Sequence, residues 1–181
     1  MAHFTNRQED WQRRDWQMLR EGGISLYRRN EYLADDMQWL AGQNYTIYEF
    51  DCGRWNSEDE MYSEFERVMR FSEWWGPTWG HNMDAFEDCL SDLPIRKDGG
   101  AVLVLRRFNI YASGAGSALG HNGLTKADIL LDVLVRACRF FLLTGRRLIT
   151  LVHTENPDIQ FGPLGAVSPA WNRREWLIKN R

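Results

Sequence analysis

Four short stretches of the chain are dominated by aliphatic, β-branched and aromatic residues. They are ISLYRR (24–29), YTIYEFDC (45–52), AVLVLRRF (101–108) and RLITLVHT (147–154). These residue types favour extended backbone, and each stretch has the length of a strand. The third stretch is apolar for most of its length, which is typical of a strand covered on both faces of a sheet. The pattern therefore predicts four strands.

Between these stretches, apolar residues recur at helical spacing. Helices are predicted over 32–42, 57–71, 82–93 and 125–143, with a short helix or docking arm over 1–22 and a last helix over 171–179. Ser57, Asn82 and Thr125 stand where a helix N-cap is needed, and their side chains can accept a hydrogen bond from the first turn. Gly42 and Gly145 stand where two of these helices should end.

The strands alternate with helices along the chain. Parallel strands need such crossovers, so the fold class predicted is α/β with a parallel sheet packed against helices. A Gly- and Ser-rich stretch over 112–124 is expected to be a flexible crossover loop, and 155–170 a loop-rich tail.

Length and charge narrow the class of protein. A chain of 181 residues fits one domain with extended ends, and a net charge of −3 is too small to indicate a partner. Acidic residues gather between 58 and 92, whereas Arg13, Arg14, Arg173 and Arg174 lie near the two ends. Because acidic residues interleave with these arginines, we expect a solvated surface or intramolecular ion pairs.

The cysteines and the apolar runs favour a cytosolic protein. Cys52, Cys89 and Cys138 form no C-x-x-C pair, and an odd number makes a poor disulfide framework, so we expect reduced thiols. No apolar run resembles a signal peptide at the start, and none has the length of a membrane span.

The helix over 82–93 has one apolar side and one acidic side. Met83, Phe86, Leu90 and Leu93 fall on the first, and Asp84, Glu87, Asp88 and Ser91 on the second. No Lys or Arg occurs between Phe71 and Ile95. Like charges at these spacings repel each other. The acidic side is either a plain solvated surface or a surface made to bind something positive.

Three tryptophans precede this helix within six residues. They are Trp74, Trp75 and Trp79, and the neighbouring Gly76, Pro77 and Gly80 predict a tight turn at the surface. Each tryptophan could plug the edge of the core. Tryptophans beside a charged patch are also typical of protein interfaces, where they act as anchors.

The segment W-G-H-N-M-D-A-F-E-D-C-L (79–90) resembles the aromatic-Gly-x-Asn-Leu-Asp-Ala-Leu-x-Asp signature of the barstar family of bacterial ribonuclease inhibitors. The predicted elements from 45 to 155 also follow the barstar order. The resemblance implies a barstar-like domain over 45–155, with a small three-stranded parallel sheet packed against helices. It leaves an extra strand–helix unit with an N-terminal arm over 1–44 and a tail with a short helix over 156–181.

The resemblance also implies a binding surface. In that family the helix enters the basic active site of a nuclease, with its carboxylates where the phosphates of the substrate would lie. Asp84 and Asp88 match the two aspartates of the signature, and Glu87 stands where the family often has an aromatic residue. The partner-binding residues predicted in this way are Trp75, Trp79, Gly80, Asn82, Asp84, Glu87 and Asp88.

The function expected on these grounds is an intracellular, cytoplasmic inhibitor of a basic ribonuclease or nuclease toxin. Such an inhibitor would protect a bacterial cell from its own nuclease. It would have no catalytic residue, cofactor or metal, and would not contact nucleic acid or membrane directly.

A small α/β hydrolase or nucleotide-binding protein is the alternative. Asp84 and Asp88 could then act as an acid–base pair, although a helix surface makes a poor cleft. The spacing Gly114-x-Gly116-x-x-x-Gly120 differs from that of a dinucleotide-binding turn. His3, His81, His121 and His153 show no metal-ligand spacing.

Overall fold

A computed structural model describes residues 8–76, 79–120, 123–162, 164–165 and 167–176. His3, Pro77 and His121 lie outside the described residues, as does the end of the helix predicted over 171–179. The strands are β1 (Ile24–Tyr27), β2 (Tyr45–Asp51), β3 (Gly100–Arg106), β4 (Leu148–His153) and β5 (Ala170–Trp171). The helices are α1 (Gln8–Trp11), α2 (Arg14–Arg20), α3 (Asn30–Gly42), α4 (Glu58–Met69), α5 (Met83–Ser91), α6 (Phe108–Ser113), α7 (Lys126–Leu143) and α8 (Arg173–Trp176).

The five strands form one sheet in the order β2-β3-β4-β1-β5, and every neighbouring pair is parallel. The predicted α/β class with a parallel sheet is therefore confirmed. The sheet has two strands more than the resemblance implies, because β1 pairs with β4 and β5 pairs with β1. The domain boundaries at 45 and 155 stay a prediction, although strand pairing crosses both.

Helices cover both faces of the sheet. Side chains alternate along β3, so Val102 and Val104 pack with α2 and α3, whereas Leu103 and Leu105 pack with α4, α5 and α7. All of these β3 side chains are fully buried. The prediction that this strand is covered on both faces is therefore confirmed. The continuous apolar run of β3 fits its place between two layers of helices.

The four predicted strands are all present, and each ends earlier than predicted. Arg107 shows why for β3, because its φ of 53° turns the chain out of the sheet and into α6. The first part of the supposed flexible loop over 112–124 is ordered: α6 ends at Ser113, and a 3-10 turn follows at Ala115–Ser117. Gly116 lies so close to Tyr111 that an added Cβ would approach its ring to 2.8 Å. The loop prediction is therefore wrong for this part, and the glycine serves packing.

A buried carboxylate ties α2 to the sheet. Asp15 is fully buried and accepts hydrogen bonds from Arg13 at 2.8 Å, from the Tyr45 hydroxyl at 2.9 Å and from Arg147 at 3.3 Å. Arg147 is itself only 4% exposed. These contacts join the N-terminal segment to β2 and to the start of β4.

A second buried carboxylate joins the two ends of the chain. Asp36 on α3 lies 2.8 Å from Arg14 and 2.8 Å from Arg174, and it also accepts hydrogen bonds from Tyr27 and Asn172. The expectation of intramolecular ion pairs for the terminal arginines is confirmed at both ends of the chain.

The three cysteines are free and buried, as the absence of paired spacing predicted. Within the described residues, no helix has the length and apolar character needed to cross a membrane.

We expect Asp15→Asn to destabilise the protein. The change removes the carboxylate from a buried pair with Arg147, and breaking such a pair costs about 3 kcal/mol. Urea unfolding measures the loss, with Glu31→Gln as the control because Glu31 is 65% exposed on α3. Equal midpoints for the two variants would show that Asp15 does not anchor α2.

His153 should make stability depend on pH. Its side chain is 3% exposed, and its Nδ1 accepts a hydrogen bond of 3.3 Å from the Arg107 backbone N–H. Burial lowers the pKa of His153 below its ordinary 6.5, so the unfolded state takes up a proton first as the pH falls. The contribution of His153 is therefore complete above about pH 6.5 and is lost below it.

The measurement is urea unfolding at pH 7.5 and at pH 5.5. We expect His153→Asn to lose less stability between these two pH values than the wild type, because Asn does not titrate and its side-chain oxygen can still accept from Arg107. An equal loss in both proteins would rule out His153 as the source of the pH dependence.

Candidate protein-binding surface

Asn82 sets the start of α5. Its backbone is extended, with φ −146° and ψ 167°, and its Oδ1 accepts a hydrogen bond of 2.9 Å from the Ala85 N–H. This is the geometry of a helix N-cap, as predicted. Gly80 leaves room for the cap, since an added Cβ would lie only 3.0 Å from the Asn82 side-chain nitrogen.

The apolar side of α5 is held in an aromatic cluster. Phe86 is fully buried, with its ring centroid 4.5 Å from that of Phe65 on α4 and 6.0 Å from that of Phe71. Leu90 and Cys89 are also buried. Because this side of the helix cannot turn away from the core, the opposite side must face outward.

The outward side carries Asp84, Glu87 and Asp88, which we call the acidic face. Asp84 and Asp88 are exposed, and neither has an ion-pair partner among the described residues. Residues four apart on a helix are neighbours, about 6 Å between Cβ atoms. Two adjacent carboxylates, without a counter-ion among the side chains that the structure describes, therefore point into solvent.

Glu87 differs from its two neighbours. Its Oε1 lies 2.8 Å from Nη1 of Arg136 on α7, and its side chain is 31% exposed. The absence of Lys and Arg between Phe71 and Ile95 therefore does not leave Glu87 without a counter-ion. Its neutralising arginine comes from a helix some 50 residues further along the chain, so the charge pattern around α5 did not reveal it.

Trp79 is not a water-facing anchor. Its side chain is 5% exposed and packs edge-on against Tyr62 and Phe71, with centroid distances of 5.7 and 5.2 Å. Its indole N–H donates to Glu66 on α4 at 2.8 Å. Trp79, predicted as a partner-binding residue, therefore does not share the water-facing surface of Asp84 and Asp88, because its side chain is folded inward beneath α5.

Glu66 on α4 contacts Ser72 in addition to Trp79. Its carboxylate also accepts hydrogen bonds from the backbone N–H and the hydroxyl of Ser72. Sequence reasoning missed this residue, since a glutamate on an amphipathic helix shows no sign of a partner further along the chain. Glu66 thus supports the segment that delivers Asn82 to the start of α5.

Of the three tryptophans, Trp75 is the exposed one. It is 38% exposed, and its indole N–H donates to Asp92 at the end of α5, at 2.9 Å. Trp74 is partly buried against Phe71. Among the predicted aromatic contacts, the structure thus leaves Trp75 available at the rim of the acidic face.

His81 lies just before the start of α5, and its ring packs at a tilt against neighbouring aromatic rings. Its centroid lies 4.8 Å from that of Trp79 and 6.0 Å from that of Tyr62. The imidazole is exposed and covers the buried tryptophan. It belongs to the same surface as the cap residue that follows it.

The charges on this surface act on groups beneath it. Burial raises the pKa of Tyr62, and Glu58, Asp59 and Asp84 raise it further. Burial, with help from Asp88, likewise raises the pKa of Cys89 to about 11, so this thiol stays protonated at neutral pH. Acidic residues from α5 and from the first turn of α4 therefore both act on Tyr62.

Two observations bear on other chemistry at this surface. Within the described residues, no group of three or more His, Cys, Asp or Glu side chains is arranged to hold a metal ion. A cavity of about 370 Å³ lies next to the start of α4 and is lined by Asn56, Ser57, Glu58, Asp59, Ala115 and Lys126.

Asn82→Ala should weaken α5 without touching its carboxylates. Loss of an N-cap side chain costs about 1 kcal/mol, whereas Asn82→Asp keeps an acceptor in place and should cost much less. Chemical denaturation compares the two variants. If alanine and aspartate behave alike, the cap does not support the helix.

A family model described as Barstar (barnase inhibitor) matches residues 45–153. A search of curated proteins finds no match. The matched segment is more than half of the 181 residues and contains β2, β3, β4 and the whole of the acidic face. The chain therefore belongs to the barstar family.

Proposed function

We propose that this chain inhibits a basic ribonuclease or ribonuclease-like toxin by placing the acidic face of α5 in the nuclease active site. The observation that carries the proposal is the pair of exposed carboxylates, Asp84 and Asp88, on one side of a capped helix, with no ion-pair partner in the part of the chain that the structure describes. The family match supports an inhibitor role of this kind.

The chemistry of the target explains why carboxylates suit this role. A ribonuclease binds a polyanion, so its cleft must present arginine, lysine or histidine at phosphate spacing. A carboxylate accepts charge-assisted hydrogen bonds from these groups, and a guanidinium can bind it through two parallel bonds. Asp84 and Asp88 would occupy two phosphate positions.

Rigidity should add to the affinity. The Asn82 cap, the burial of Phe86 and the hydrogen bond from Trp79 to Glu66 hold α5 in one orientation before any partner arrives. A preordered surface loses little conformational entropy on binding. In this proposal Trp79 stabilises the site from beneath, and Trp75 supplies an apolar contact at its rim.

In this proposal the chain is a binding protein rather than an enzyme. Its aspartates act by occupying the partner's active site, and no cofactor takes part. The chain would work in the cytoplasm of a bacterial cell that makes the nuclease. The complementary charges would also speed association and make it sensitive to salt.

Asp88→Ala should weaken inhibition strongly. Truncation of a central charged contact in an interface typically costs about 2 kcal/mol or more, which is about 30-fold in the inhibition constant. The measurement is RNA hydrolysis by a panel of basic ribonucleases that includes barnase, with purified wild type and variant as inhibitors.

Glu31→Gln is the matched control, since it removes one carboxylate from α3 on the other side of the sheet. It should inhibit like the wild type. Equal inhibition by Asp88→Ala and wild type would show that α5 is not the binding helix. If wild type inhibits no member of the panel at stoichiometric concentration, the proposed function is wrong.

A further inference from the structure

Arg136 stands between two helices and contacts a carboxylate on each. Its Nη1 lies 2.8 Å from Glu87 on α5, and its Nε lies 3.2 Å from Asp132, one turn earlier on α7. The Arg136 side chain is 48% exposed. The guanidinium is therefore shared by two acids in a place that solvent and a partner can reach.

This contact divides the acidic face into two kinds of carboxylate. Asp84 and Asp88 are unneutralised within the described residues, whereas Glu87, between them in sequence, is occupied by Arg136. A cation approaching the α7 side of the acidic face thus meets a positive charge of the protein's own.

Asp132 changes the cost of removing that positive charge. If a partner's cation takes Glu87, Arg136 can keep its ion pair with Asp132, because the two lie four residues apart on the same helix. Arg136 can therefore release Glu87 while it remains paired with Asp132. Exposed ion pairs are weak, so the exchange of one for another is easily reversed.

We propose that Arg136 and Asp132 form a holding pair that occupies Glu87 until a partner supplies a cation at that position. The inference rests on the proposed function and names the chemistry of the partner more closely. The fitting partner carries three positive groups, two opposite Asp84 and Asp88 and a third that displaces Arg136 from Glu87. A basic protein without the third positive group leaves Arg136 paired with Glu87 and therefore binds less tightly.

The two α7 residues should act in opposite directions when they are changed. Arg136→Met keeps the aliphatic length but frees Glu87, so cations should bind more tightly. Asp132→Asn leaves Arg136 with Glu87 alone, so cations should bind less tightly. Neither substitution alters α5, and both residues lie on a helix surface where replacement is well tolerated.

A hexa-arginine peptide at low ionic strength tests the holding pair without any nuclease. Calorimetry gives the affinity, and chemical shifts of the α5 amides show where the peptide binds. We expect Arg136→Met to tighten binding by about two- to fivefold, the range that one exposed ion pair accounts for. Adding Glu87→Gln to Arg136→Met should remove most of this gain.

Arg139→Met is the matched control for the removal of a positive charge. Arg139 lies three residues further along α7 and donates to the backbone carbonyl of Gly165. Its removal should tighten peptide binding less than Arg136→Met does. Asp132→Asn should weaken binding in the wild-type background and have a smaller effect beside Arg136→Met, where no arginine remains to be held.

The holding pair is wrong if Arg136→Met binds the peptide no more tightly than the wild type, or if Arg139→Met gives the same gain. Circular dichroism of each variant confirms that it is folded. The same variants are then assayed against any ribonuclease that the wild type inhibits, where Glu87→Gln should weaken inhibition. Failure to inhibit any ribonuclease would overturn the proposed function, while the peptide affinities would still decide the holding pair.

Discussion

The packing of Phe86 into the aromatic cluster between α4 and α5 is the contact on which the candidate site depends. One side of α5 is committed to Phe65, Phe71 and Trp79, and a helix cannot bury one side without turning the other outward. The exposure of Asp84 and Asp88 is thus a consequence of apolar packing. Their mutual repulsion, which is a few tenths of a kcal/mol in an isolated helix, is small beside the burial of a phenylalanine.

The segment before α5 has a supporting role. It carries three tryptophans, but the structure uses Trp79 as a buried support, with its N–H satisfied by Glu66, and leaves Trp75 exposed. A buried indole needs a hydrogen-bond partner, and a carboxylate on α4 provides one. Trp75 is bonded to Asp92 and Trp79 to Glu66, and these contacts fix the position of the cap residue Asn82.

The segments outside the family match are part of the same sheet. β1 lies between β4 and β5, and the carboxylates of Asp15 and Asp36 are buried with arginines from both ends of the chain. Each of these carboxylates balances two arginines, so the loss of either carboxylate would be costly. The arginine-rich ends thus serve the fold, on the face opposite the acidic helix.

The sequence alone determined the local elements and the faces of the helices. Periodicity predicted α5 with its apolar and acidic sides, capping chemistry predicted its start at Asn82, and the signature over 79–90 indicated the family. These features depend on residues within a few positions of each other. The burial of Trp79, the support from Glu66, the neutralisation of Glu87 by Arg136 and the place of β1 in the sheet were decided by tertiary structure alone. Each of them depends on a contact between residues far apart in the chain, and no local pattern specifies which distant side chain a residue will meet.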